Sequence, residues 1–294
     1  MLITLNAALA GLGVGAVYGL IALGYTVVYN TTRVFNLAQG DLVMIGVMGS
    51  WIFLAVLRWP QPVVFVLVVV VVALIACIEE RYVVRPFLKR SDGAFGWFIA
   101  TLAFSLIIET IAIVWYGNRP INPVPSFIST LGWNIGRVSI APKFVVALAA
   151  LIITTIGVEW FYSRTWSGLA MRGIADDREI ARLRGIDPTR LGRLAFAISG
   201  AIAGMAGFVL APITFSDPTI GLAYTIKGFI ALAIGGFGSI RGALVGALSL
   251  GVAEQVFDRY WNSTYEMLAD LAFIAIVFGL RPSGLFPERM VRRI

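Results

Sequence analysis

The sequence contains no histidine, only one cysteine and few charged residues. Without histidine the chain lacks the commonest metal ligand and general base. A lone Cys77 inside an apolar run cannot form a disulfide framework within the chain. Charged residues make up 13% of the chain, about half of their usual share in soluble domains. These scarcities argue against a metal site, a hydrolytic centre and a disulfide-stapled scaffold.

Apolar residues are abundant instead, at 59% of the 294 residues. A membrane-spanning helix needs about 20 mainly apolar residues. Because backbone groups in lipid must hydrogen-bond internally, we expect every long apolar run to be helical, including the valine-rich third one. The runs lie at about 2–29, 41–57, 62–78, 94–116, 142–162, 191–212, 222–236, 242–257 and 265–280.

These runs predict an all-α fold, a polytopic transmembrane helix bundle of eight or nine spans. The whole chain, 1–294, is expected to form a single transmembrane domain, because no stretch is left over for a soluble one. A version with eight spans and a re-entrant segment near 213–240 is the alternative.

Lysine and arginine are concentrated in three segments, which the positive-inside rule places on the cytoplasmic side. Counting outward from them puts the N-terminus outside and the C-terminus in the cytoplasm of a bacterial inner membrane. This topology explains the net charge of +7 better than nucleic-acid binding does, since no soluble domain presents the charges. The three segments are 79–93, 162–193 and 281–293.

Small residues recur at intervals of four, a spacing that lets membrane helices approach closely. We therefore predict tight helix packing at these positions. They are Gly11, Gly15 and Gly19, Gly200 and Gly204, Ala203 and Gly207, and Gly242 and Gly246.

The segment 171–188 is polar and basic, and it lies between two apolar runs. An acidic cap at its start and a glycine before a proline at its end predict a short exposed helix. An ordinary solvated loop helix is the alternative interpretation. The residues that define the helix are Asp176, Asp177, Glu179, Ala181, Arg182 and Gly185.

The pattern Glu179-x-Ala181-x-x-x-Gly185 resembles the E-A-A-x-x-x-G coupling motif of ABC importer membrane subunits, a helix that docks into a groove of the ATPase. The resemblance to branched-chain amino acid importer permeases extends over nearly the whole chain, and it is to their shorter, first-subunit type. Gln39 departs from the family, in which histidine is frequent at this place. The matching segments are 19–29, 34–40, 171–191, 195–207, 235–246 and 280–286.

This resemblance implies an importer that also contains a second related permease subunit, two cytoplasmic ATPase subunits and a periplasmic substrate-binding protein. The chain has no G-x-x-x-x-G-K-[ST] loop, so ATP and magnesium would be bound by the ATPase partners and no cofactor by this chain. Branched-chain or related amino acids are the expected substrates. Urea, aromatic acids or other small carboxylates remain alternatives, as does an ion-coupled secondary transporter. A membrane enzyme is disfavoured, because the sequence presents no reacting centre.

Two polar breaks interrupt the apolar runs, one at 36–41 and one at 235–242. Discontinuous helices at membrane depth usually line cavities, so we predict a translocation pathway there. The fourth run carries Thr101, Ser105 and Glu109 on one helical face, and we expect this face to line the same pathway. The alternatives are an ordinary turn in which Asp41 caps the second helix, and a simple interhelical hydrogen bond for Glu109. The predicted pathway residues are Asn36, Gln39, Gly40, Asp41, Thr101, Ser105, Glu109, Gly238 and Ser239.

Overall fold

A computed structural model of the chain describes residues 2–88, 96–124, 132–135, 138–176, 178–261, 263–282 and 284–286. The described part is almost entirely helical, with one hairpin of two three-residue strands. The α-helices are α1 (Leu2–Thr32), α2 (Gln39–Trp51), α3 (Gln61–Glu79), α4 (Arg85–Leu88), α5 (Gly96–Tyr116), α6 (Pro142–Arg164), α7 (Trp166–Asp176), α8 (Arg178–Leu183), α9 (Pro188–Leu210), α10 (Ile220–Gly235), α11 (Ile240–Tyr260) and α12 (Glu266–Leu280). The strands are β1 (Trp133–Ile135) and β2 (Val138–Ile140), and shorter helical turns cover Ile52–Val56, Glu80–Val84 and Ser263–Tyr265.

Seven described helical segments are long and apolar enough to cross a membrane. They are Thr4–Thr32, Gln39–Val56, Gln61–Phe87, Gly96–Tyr116, Pro142–Arg164, Pro188–Leu210 and Ile240–Tyr260. Two further apolar helices, α10 and α12, have 16 and 15 residues. The all-α polytopic bundle is confirmed, and the valine-rich run is helical as expected. Because α10 and α12 fall short of a typical span, the total of eight or nine spans stays a prediction.

Helix α1 forms the centre of the bundle, where it packs against α6, α9, α10 and α11. Glycines bring α1 and α11 into backbone contact. A Cβ atom on Gly11 would lie 2.6 Å from the carbonyl oxygen of Gly251, and one on Gly15 would lie 2.6 Å from that of Ala247. The predicted close packing at these two positions is therefore confirmed.

The charged segment that begins at residue 79 starts as a helix, although the apolar run was expected to end before it. Helix α3 continues through a π-helical turn, Glu80–Val84, into α4. Glu79 and Glu80 are buried, with 0% and 3% of their surface exposed. Helix α3 thus ends within one residue of the predicted run 62–78, whereas hydropathy does not show that the carboxylates after it find partners inside the bundle.

The described residues 284–286 lie against the carboxyl end of α10. Backbone N–H groups of Leu285 and Phe286 donate to the carbonyl oxygens of Ile234 and Gly235, both at 2.9 Å. The last carbonyls of a helix have no partner within it, so this contact satisfies two of them. It also holds in place the polar break between α10 and α11.

Candidate functional site

The polar residues of the first break, 36–41, are buried inside the bundle. Asn36, Gln39 and Asp41 expose 0%, 0% and 1% of their surface. The Asn36 side chain shapes the turn, because its Oδ1 accepts a hydrogen bond from the Ala38 N–H at 2.9 Å. Polar groups at this depth need partners within the protein, and the surrounding helices supply them. We call 36–41 and its partners the polar junction.

Helix α3 holds Asn36 through an acidic residue. The Asn36 Nδ2 donates to Glu79 Oε2 at 2.9 Å, and Glu79 is fully buried. In the sequence, Glu79 stands at the start of the predicted cytoplasmic segment 79–93, and this contact is not apparent there. The available signal was a carboxylate directly after an uninterrupted apolar run, which is costly at membrane depth without a partner.

Helix α9 holds Gln39 at the start of α2. The Ser199 hydroxyl donates to Gln39 Oε1 at 2.9 Å, and Gln39 Nε2 donates back to the Ser199 carbonyl at 3.4 Å. This reciprocal pair fixes the orientation of the amide and links the junction to α9.

Gly40 lets α2 approach α10 closely. Its N–H donates to Thr225 Oγ1 at 3.0 Å, and a Cβ at this position would lie 2.5 Å from the Thr225 nitrogen. The same hydroxyl donates to the Leu37 carbonyl at 3.2 Å. Thr225 is therefore a junction residue that sequence analysis missed, since a single threonine in an apolar helix gives no distinctive pattern.

Asp41 lies in the first turn of α2 but does not cap the helix. The residue at the cap position is Ala38, and no side-chain hydrogen bond is made there. The Asp41 Oδ2 instead accepts a short hydrogen bond from the hydroxyl of Ser105 in α5. Its Oδ1 is buried and has no hydrogen-bond partner among the described residues. The interpretation of Asp41 as the cap of an ordinary turn is wrong.

The predicted polar face of α5 is only partly directed at the junction. Ser105 contacts Asp41, whereas the Thr101 hydroxyl donates to the Trp97 carbonyl of its own helix at 3.0 Å. Glu109 is half-buried and interacts electrostatically with Asp41. The structure thus brings Ser105 and Glu109 near the junction and gives Thr101 a local partner.

The second polar break lies beside the first. Gly238 adopts a positive φ of 85°, and its carbonyl accepts a hydrogen bond from Asn30 Nδ2 at 2.8 Å. The Ser239 hydroxyl caps α11 by accepting from the Gly242 N–H at 3.0 Å. The rings of Phe35 and Phe237 are 5.3 Å apart, so the two breaks also meet through aromatic packing. The two breaks therefore lie side by side, and their role in a translocation pathway stays a prediction.

The predicted coupling segment forms α7, α8 and the turn after them. Gly185 ends α8 with a φ of +80°, where glycine is preferred, and the Ile186 N–H donates to the Ala181 carbonyl at 3.1 Å. Asp187 then caps α9, and hydrogen bonds from the N–H groups of Thr189 and Arg190 lower the pKa of its carboxyl group. Among the predicted coupling residues, Asp177 and the side chains of Asp176 and Glu179 lie outside the described residues.

Ala181 is buried within this chain, with 3% of its surface exposed. Its predicted role in ATPase coupling stays a prediction. Among the described side chains of α8, those of Arg182 and Leu183 are exposed, Leu183 at 88%. The exposure of Leu183 is not visible in the sequence, because the packed side of so short a helix cannot be deduced from its own residues.

Helix α9 connects this exposed segment to the polar junction. Near its start, Arg193 Nε lies 3.8 Å from Glu80 Oε2, and Arg85 pairs with the same carboxylate at 2.6 Å. Further along α9, Ser199 contacts Gln39 and Gly207 packs on α2, where a Cβ would lie 2.5 Å from the Val43 carbonyl. Helix α9 therefore runs from the end of the predicted coupling segment to the polar junction.

Comparison with known proteins identifies the family. Residues 7–279 match the family model described as branched-chain amino acid transport system / permease component. The chain is 30% identical to the high-affinity branched-chain amino acid transport system permease protein LivH of Escherichia coli (strain K12), over 97% of this chain and 96% of that protein. It is 27% identical to the corresponding permease protein BraD of Pseudomonas aeruginosa, again over 97% and 96%.

Among solved structures, PsaBC from Streptococcus pneumoniae in complex with Fab is similar, with a TM-score of 0.50 and 14% identity over 96% of this chain and 93% of that one. At this identity the likeness concerns the fold alone. The sequence matches and the apolar helices together show that this multi-pass membrane protein belongs to the branched-chain amino acid transport system permease family.

Proposed function

We propose that the chain is the membrane subunit of an ATP-driven importer that carries branched-chain or closely related amino acids across the bacterial inner membrane. The observation that carries this proposal is full-length similarity to relatives named as branched-chain amino acid permeases, one of them at 30% identity. Urea, aromatic acids and other small carboxylates are the alternative cargo.

The proposed partners follow from the family to which the chain belongs and, for the ATPase subunits, from what the chain lacks. It has no phosphate-binding loop, so ATP and magnesium would be bound by two cytoplasmic ATPase subunits. A second related permease subunit would complete the membrane part, and a periplasmic binding protein would deliver the substrate. The exposed Leu183 and Arg182 of α8 offer the contact surface for an ATPase subunit, and α9 would transmit its movement to the polar junction.

Within this account the polar junction is the part of the subunit that borders the pathway. Gln39, Asp41 and Glu79 are buried polar residues, and the Asp41 and Glu79 carboxylates each keep one oxygen without a hydrogen-bond partner among the described residues. Buried carboxylates with spare acceptor capacity are costly in a membrane and usually serve a function.

Co-purification tests the assignment against an ion-coupled carrier. The chain would be affinity-purified from its native membranes in mild detergent, and the bound proteins identified by mass spectrometry. We expect two ATPase subunits and a second permease. Recovery of a stable chain that hydrolyses no ATP and retains no nucleotide-binding subunit would favour the ion-coupled carrier.

The proposed orientation, with the N-terminus outside and the C-terminus in the cytoplasm, predicts opposite labelling at two exposed positions. In a Cys77→Ser background, Arg184→Cys should react with a membrane-impermeant maleimide only in inverted vesicles. Asn118→Cys should react only in intact spheroplasts. Both residues are exposed in the structure. Labelling of Arg184→Cys from the outside would reverse the orientation.

A further inference from the structure

Five charged residues meet where α10, α11 and α12 come together. Lys227 Nζ lies 3.1 Å from Glu254 Oε1 and forms a second, very short ion pair with Glu266. Asp258 and Asp270 are close enough to interact electrostatically with the same lysine. We call these five residues the acidic cluster.

The lysine does not neutralise the acidic cluster. Four carboxylates face one ammonium group, and even with Arg259, which lines the cavity next to Asp258, the carboxylates are in excess. Glu254 and Asp270 are buried, with 4% and 3% exposure. Uncompensated buried charge is strongly unfavourable, so a further positive charge would stabilise this arrangement.

Two carboxylate oxygens of the cluster are left open. Glu254 Oε1 accepts a hydrogen bond from the Tyr18 hydroxyl at 2.9 Å, but Glu254 Oε2 is buried and has no hydrogen-bond partner among the described residues. The same holds for Asp258 Oδ1. The lysine and the tyrosine therefore occupy one side of Glu254 and leave the other side available.

The carboxyl groups of Glu254, Asp258 and Glu266 are spaced for a single ion. One carboxylate oxygen from each of Glu254, Asp258 and Glu266 lies within 4.8 Å of the other two. Oxygen atoms about 2.3–2.6 Å from a calcium ion lie up to about 5 Å from one another. A cavity of about 220 Å³ reaches Glu254 and Glu266, and another of about 470 Å³ reaches Asp258 and Asn6, which leaves room for water ligands.

We propose that Glu254, Asp258 and Glu266 bind a hard divalent cation, best matched by calcium. The donor set consists of carboxylate oxygens, which favour calcium or magnesium over softer transition metals. Calcium suits it better than magnesium, because magnesium requires a more regular octahedron and shorter distances. The ion would join α11 to α12, and the site is independent of the substrate proposed above.

Calcium titration of the protein in mild detergent, purified with whatever subunits remain bound, tests the site. Calcium should raise the thermal unfolding temperature, and a chelator should reverse the effect. Terbium should bind in its place and luminesce through the neighbouring Tyr18, and calcium should compete it away. Asp258→Asn removes an open oxygen at nearly constant volume and should weaken calcium binding by about tenfold or more.

Glu159→Gln is the matched control, because Glu159 pairs with Arg241 in a separate, partly exposed ion pair. It should respond to calcium as the wild type does. If wild-type protein shows neither a calcium-dependent shift nor competed terbium luminescence, the proposal is overturned. An unchanged calcium response in Asp258→Asn has the same consequence. If Asp258→Asn does not fold, the terbium competition on the wild type decides alone.

Discussion

Replacing Leu183 by glutamate is expected to reduce substrate uptake by about tenfold or more, while the chain still folds and inserts into the membrane. Leu183 exposes 88% of its surface on α8, so the change removes no internal contact. Burial of a leucine side chain in an interface is worth about 1.5–3 kcal/mol, and each 1.4 kcal/mol is about tenfold in affinity. Uptake and substrate-stimulated ATP hydrolysis would be measured together in proteoliposomes with the binding protein present.

Leu183→Met is the matched control, because methionine keeps the apolar surface and a similar volume. It should retain coupling. Ala181→Trp would test docking less cleanly, since Ala181 is buried and the larger ring would disturb this chain itself. Wild-type coupling in Leu183→Glu would show that the ATPase docks elsewhere, and segment 79–93 would be the next candidate.

Asp41→Asn is the second change with a large expected effect. We expect uptake to fall by roughly tenfold, which corresponds to the free energy of one lost hydrogen bond to a charged group. The complex should still assemble, because the aspartate and asparagine side chains have the same shape. The neutral amide of the variant can still accept a hydrogen bond from Ser105, but the substitution removes the negative charge and one acceptor oxygen. The measurements are uptake, and the amount of assembled complex recovered.

Ser50→Ala provides the control on the same helix. Ser50 is buried like Asp41, but its hydroxyl donates at 2.7 Å to the Gly46 carbonyl of its own helix. Its loss should change uptake by no more than about twofold. Normal uptake in both Asp41→Asn and Gln39→Leu would mean that the junction is a packed turn without a role in transport.

The sequence predicts the parts of this fold that depend on local pattern. Apolar runs of membrane length locate most of the helices, because lipid leaves the backbone no other way to satisfy its hydrogen bonds. Glycines spaced by four locate the contact of α1 with α11, since the same spacing repeats one helical face. The two polar breaks, 36–41 and 235–242, are also visible in the sequence, because each interrupts an apolar stretch.

The contacts of the polar junction depend on residues far apart in the chain, which local pattern cannot supply. Asn36 is held by Glu79, 43 residues later, and Gln39 by Ser199, 160 residues later. The outward face of α8 likewise depends on which side packs against the bundle. The absence of histidine argued against a metal site, yet that argument covers imidazole ligands and leaves carboxylate sites such as the acidic cluster open.

In the proposed importer, this chain moves amino acids only when partner subunits hydrolyse ATP. The most direct test is uptake of radiolabelled leucine by proteoliposomes that contain the purified complex, with the binding protein on the periplasmic face. We predict uptake when ATP and magnesium are present on the cytoplasmic face, none when a non-hydrolysable analogue replaces ATP, and no effect of ionophores. Uptake without ATP that follows an imposed ion gradient and is abolished by an ionophore would contradict the account.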